Sequence, residues 1–195
     1  MAKPGILQYL EGLAKNEYLI KTIGDQSRRM VDQEMLLRFL SFRFMNYEQS
    51  KKSIAPFLDE MMNKLQESSQ NDLDEFRDSF QLAIKRCWDI FGSRAFEKST
   101  DGKPAKRRRK NSTLFEVWMN ALSKISIDEM QVLNEKKQKL VQKHLDLMAN
   151  DNDYFRSITY STQKKDHYRT RRDKVQQLIR EILNVDDFKD DDIFS

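Results

Sequence analysis

At 195 residues the chain is long enough for one domain with a full core, or for two small ones. Five Gly and three Pro disfavour a turn-rich all-β fold, while 38% hydrophobic and 34% charged residues imply an economical core under a heavily charged surface. The net charge of +4 hides an asymmetry, because DDFKDDD at 186–192 carries −4 and leaves +8 on the remainder.

Apolar residues recur in helical phase for most of the length, which excludes a disordered chain. Residues 5–23 predict one short amphipathic helix, with Leu7, Leu10, Ala14 and Tyr18 on one face, ended by GDQSRR. DQEMLLRFLSFRFMNY, the densest apolar segment, predicts the central helix, with Asp32 as its cap and Leu36, Leu37, Leu40 and Phe44 inward. The next helix has Pro56 in its first turn and a stripe of Phe57, Leu58, Met61 and Leu65.

NDLDEFRDSFQLAIKRCWDIFG follows, with Asn71 as the expected cap, a stripe from Leu73 to Ile90 and Gly92 just past its end. Thr113 with Glu116, and Ser126 with Glu129, have capping-box spacing, the second pair opening a long helix to about Ala149. NDNDYF breaks the pattern, and Thr162 is the expected cap of the last helix, whose inward face is Tyr168, Val175, Leu178, Ile179 and Ile182. The fold expected is all-α, a bundle of about seven helices in a single domain over 1–185, with a disordered acidic tail at 186–195.

No run approaches the ~18 apolar residues of a membrane span, and MAKPGILQYLEG has no signal-peptide core, so a cytoplasmic protein away from membranes is expected. Cys87 is the only cysteine and lies on a core stripe, where it reads as a small buried hydrophobe. His144 and His167 are the only histidines and read as surface or boundary residues. No zinc site can be assembled from this set. Trp88 and Trp118 follow core stripes and read as packing residues. There is no phosphate-binding glycine loop, HExxH or nucleophile elbow, so no catalytic residue, metal or cofactor is expected in this chain.

The cations are more informative. Arg28 and Arg29 precede the expected central helix, while Arg38 and Arg43 lie within it among Leu and Phe, where salt bridges are expected ahead of phosphate contacts. Six of the eight residues from Lys103 to Lys110 are basic, with Lys106, Arg107, Arg108, Arg109 and Lys110 consecutive. A second cluster runs from Lys164 to Lys174. Within it, Lys165, Arg169 and Arg172 share one helical face. The two clusters make either a phosphate-binding surface or two solvated faces.

Six stretches in order, ILQYLEGLAKN, SRRMVDQEMLLRFLSFRF, IAPFLDEMM, AIKRCWDIFGSRAFEK, RRRKNSTLFEVWM and STQKKDHYRTRRDKVQQLI, resemble the helical C-terminal part of the GmrSD-type restriction endonuclease N-terminal domain, a ParB-like nuclease family of phage defence. The resemblance covers about Gly5 to Leu183. Family members begin with a ParB-like α/β half carrying a DGQQR-type motif, and many end in an HNH-type nuclease domain. This sequence has neither motif, so the resemblance assigns it no catalytic residue. It implies a helical DNA-contact or scaffold module of a modification-dependent restriction system. The alternative is a helical protein that docks a separate catalytic α/β subunit, through helix 5–23, without touching double-stranded DNA.

Overall fold

The computed structural model describes residues 4–24, 31–99 and 110–184. Among these residues it contains ten α-helices, one 3-10 turn and no strand beyond the isolated bridge Glu97–Lys110. The all-α expectation therefore holds, but the helix number is higher than seven because two expected helices are each broken by a capping or anchoring side chain and one expected break is itself a short helix. Asn16 accepts the amide N–H groups of Tyr18 and Leu19, which ends α1 (Pro4–Ala14) and starts α2 (Glu17–Ile23). Lys136 leaves helical geometry between α7 (Ile127–Glu135) and α8 (Lys137–Asn150), and its ammonium donates to Ile182 O at 2.9 Å. That carbonyl lies at the C-terminal end of α10 (Lys165–Leu183), where a cation is favoured. NDNDYF, expected as a break, forms α9 (Asn152–Ser157), opened by Asp151 accepting from Tyr154 N–H.

Several expected caps fall on the wrong residue. Asp32 is inside α3 (Val31–Phe44) rather than before it. Ser69 caps α5 (Gln70–Phe91) in a reciprocal box with Asp72, displacing Asn71. α6 (Ser112–Ser123) is capped by Asn111, whose Oδ1 accepts from Leu114 N–H at 2.8 Å, so Thr113 and Glu116 are interior positions. Lys164, with no side-chain bond, precedes α10, and Thr162 does not cap it. Ser126 with Glu129 forms the expected box, and Gly92 ends α5 at φ +56°, a backbone that glycine adopts without a Cβ penalty.

The hub is α6 rather than α3. Nine of its twelve residues are buried, a distribution found only where a helix is covered on all sides. α5, α3 and α10 pack against it, with α4 (Ile54–Glu67) on the far side of α3 and α1 and α2 against α3 and α5. One continuous core joins Leu36, Phe39, Phe80, Ile84, Leu114, Trp118, Leu122 and Ile179. A smaller aromatic cluster of Phe42, Tyr47 and Phe57, with Tyr168 stacked on Phe42 at 4.8 Å, closes the seam between α3, α4 and α10. Among the described residues no helix is long and apolar enough to cross a membrane.

Candidate anion-binding face

Where α3, α6 and α10 meet, a buried ion pair sets the electrostatics. Glu116 is fully buried and Arg171 is 1% exposed. The Arg171 guanidinium gives two hydrogen bonds to Glu116 Oε1, at 3.1 Å from Nε and 2.7 Å from Nη2, and a further one to Thr162 O at 2.9 Å. Arg38 reaches the other carboxylate oxygen at 3.4 Å while also pairing with Glu34 at 2.9 Å. Two arginines thus share two carboxylates, with Glu116 buried and Glu34 towards solvent. Arg38 follows the expected salt bridge. Arg43, five residues on, makes none among the described residues: its Nε is buried without a hydrogen-bond partner, its guanidinium lies 5.2 Å from the Phe44 ring, and burial holds it below the usual arginine range.

A crevice of about 50 Å³ opens at this seam, with Glu116 at its floor, Tyr168 and Phe42 on one wall, and Asn120, Lys124 and Arg172 around it. Lys124 is held below the ordinary lysine range by burial and then by the positive charges of Arg43 and Arg172. Asn120 Oδ1 is buried there with no hydrogen-bond partner. Burial pushes the Tyr168 hydroxyl up to about 12, so it stays protonated near neutral pH. The crevice thus holds the cations Lys124 and Arg172 and the hydroxyl of Tyr168 above the buried Glu116 carboxylate.

The second basic cluster lies beside this crevice and converges on Glu48. Arg169 pairs with Glu48 at 3.0 Å, Arg172 also bonds to it, and Lys165 donates to its backbone carbonyl at 3.2 Å. Burial opposes ionisation of Glu48, but Arg172 and Arg169 outweigh it and hold the carboxyl below its usual range. Two arginines on the Glu48 carboxylate and a lysine on its carbonyl fix where these charges stand, while Asp166 and Asp173 pair with Arg169 and Arg172 from α10 itself. Arg28, Arg29 and Lys106 to Arg109 lie outside the described residues. Lys110 is described, and its ammonium is turned inward: it donates to Ser93 O at 2.6 Å, Ala95 O at 2.9 Å and Glu97 Oε1 at 3.1 Å. It is a clamp for the backbone after α5.

On the opposite side of α6 the histidine expectation is corrected. His144 is buried, because its i−4 and i+4 neighbours Leu140 and Met148 place it on the inward stripe of α8. Trp118 Nε1–H donates to its Nε2 at 3.2 Å, and the Tyr154 hydroxyl lies 2.9 Å from the same atom. Burial pulls its pKa down to about 3, so the ring is neutral. An indole N–H can only donate, so Nε2 carries the lone pair and Nδ1 the proton. His167 is at the boundary, with Nδ1 2.8 Å from Tyr160 O. Cys87 is fully buried, 3.7 Å from Met119 Sδ, and burial pushes its thiol well up, which leaves no reactive thiolate. Trp118 is buried, and Trp88 is half-buried against Tyr18 at 6.5 Å.

Sequence reasoning missed Glu116, Arg171 as a buried residue, and Arg86, which donates at 2.7 Å to both Leu122 O and Ile125 O at the end of α6. Only Arg86 had a signal, since it adjoins Cys87 in a core stripe. Among the described residues no group of three acidic, histidine or cysteine side chains is placed to hold a metal ion. In comparisons with known proteins, no family model, curated protein or solved structure matches the chain.

Proposed function

We propose that this chain is a non-catalytic helical module that lies against the phosphate backbone of double-stranded DNA, with the seam of α3, α6 and α10 as its contact face. The observation that carries this reading is the meeting of Lys124 and Arg172 at a crevice open to solvent, with Arg43 near enough that its charge and that of Arg172 add to burial in holding the lysine pKa down. Cations gathered on one face are drawn to a polyanion that meets several of them at once, with Arg172 exchanging its pairs with Glu48 and Asp173 for phosphate. Lys165 and Arg169 extend the same face along α10. The reading agrees with the restriction-endonuclease resemblance of the sequence but rests on the charge geometry.

Fluorescence anisotropy with a labelled random duplex at ~50 mM salt, where phosphate contacts are strongest, is the direct test. Saturable, sequence-indifferent binding is expected, and its absence at that salt would end the reading. Changing Arg107, Arg108 and Arg109 together to Ser tests the basic run separately. A drop in salt dependence would include that run in the interface, and an unchanged slope would exclude it.

A second reading, docking of a separate catalytic α/β subunit by the N-terminal helices, has one observation in its favour. Leu7 on α1 and Ile20 on α2 are 41% and 44% exposed. An apolar dye bound by the native chain and released by Leu7→Ser with Ile20→Ser would support it, and a dye-silent native chain would oppose it.

A further inference from the structure

Trp118 lies two residues beyond Glu116 and so faces away from the cationic crevice, onto a second, separate cavity of about 80 Å³. Phe91, Phe96, Trp118 and Met148 form apolar walls, and Arg94, Glu97, Ser99 and His144 supply polar groups. The walls are fixed rigidly. Phe91 packs edge-on to Trp118 at 4.7 Å and Phe96 edge-on to Phe115 at 4.9 Å. Phe96 also holds φ at +65°, a backbone region rarely adopted by bulky residues and retained where the surroundings demand it. Asn111 N–H binds Phe96 O at 2.8 Å and keeps that turn in place.

Glu97 has one oxygen to spare. Its side chain is 4% exposed, and Oε1 accepts from Lys110 at 3.1 Å. Oε2 is buried with no hydrogen-bond partner, its nearest cation being Arg94 at 3.6 Å. A buried carboxylate oxygen of this kind calls for a donor. The carboxylate charge is already offset by Lys110 and Arg94, so a cationic ligand gains little, and an anionic ligand meets Glu97 itself. His144 adds its remaining N–H, at Nδ1, as the complementary donor.

We propose that this cavity binds a small neutral planar molecule of the azole or primary-amide class, its N–H donating to Glu97 Oε2 and its lone pair facing the His144 ring, with the flat body between Phe91, Phe96 and Trp118. The volume limits the size: at about half of the roughly 150 Å³ that accepts benzene, it suits a ligand of about three to five heavy atoms, with a five-membered azole ring at the upper end. Nothing in the argument depends on DNA contact, which concerns the other side of α6.

The test is a titration of the full chain with pyrazole at pH 7, followed by the indole N–H resonances in a ¹H–¹⁵N spectrum. Trp118 reports the cavity, and Trp88, packed on Tyr18, is the internal control. The expected result is a saturable shift of Trp118 with Trp88 unmoved, at a Kd of roughly millimolar order for so few atoms. N-methylpyrazole, which lacks the donor, is expected to bind at least about tenfold more weakly because Oε2 is then left unsatisfied. Met148→Phe, or Leu145→Phe as an independent filling of the same space, is expected to abolish the shift. A linear, non-saturating response, equal binding of N-methylpyrazole, or unchanged binding in either folded filled variant would overturn the proposal and leave a cavity that holds only water.

Discussion

The Glu116 carboxylate is fully buried, and among the described residues the fork of Arg171 and the reach of Arg38 offset the cost of burying it. Glu116→Ala would leave the Arg171 guanidinium buried and uncompensated, and a loss of about 3–5 kcal/mol is expected in urea unfolding. His144 gives a second residue-scale prediction. Its folded pKa, about 3, lies below the unfolded value near 6.5, so between those pH values the unfolded chain takes up a proton that the folded ring refuses. Stability due to this group is full above pH 6.5 and falls as the pH drops, by at most about 1.4 kcal/mol per pH unit. His144→Phe is expected to flatten the difference in urea midpoint between pH 7 and pH 5.5, whatever it does to the absolute stability. An equally steep pH dependence in the variant would show that other groups produce it.

At the scale of the helix, a cap is legible in sequence when its chemistry is local and illegible when a distant partner competes for the same side chain. Ser126 and Glu129 form the expected box because each needs only the other. Thr113 and Glu116 have the same spacing and do not, because Glu116 is taken by Arg171, 55 positions away, and Asn111 supplies the cap instead. No pattern within α6 announces that pairing. The breaks at Asn16 and Lys136 interrupt runs whose apolar phase continues across them, so periodicity alone merges each pair of helices. His144 was legible in principle, from its spacing to Leu140 and Met148, had its position outweighed the expectation that histidine is a surface residue. Asn111 also donates to Ile158 O at 3.0 Å, tying the start of α6 to the end of α9. Asn111→Ala is therefore expected to cost about 1–2 kcal/mol, above an ordinary lost cap, with Asn111→Asp recovering the cap part alone when both are compared by urea unfolding.

The whole molecule places its charge by way of its core. α6 is buried on every side, and the carboxylate it carries inward draws Arg171 and Arg38 to the seam, which fixes the position of Arg172 and the stacked Tyr168 beside them. Glu48, on the connection between α3 and α4, collects Lys165, Arg169 and Arg172 on the same side. The second basic cluster was visible in the sequence, but its convergence with Arg43 and Lys124 depends on three helices meeting and has no one-dimensional trace. The measurement that tests this account most directly is the salt dependence of duplex binding by the native chain and by a Lys124→Ser, Arg172→Ser double variant. If both cations contact phosphates, the slope of log K against log salt becomes shallower by about 2, and affinity falls alike for unrelated sequences. A folded double variant with the native slope would contradict the assignment of this seam to DNA.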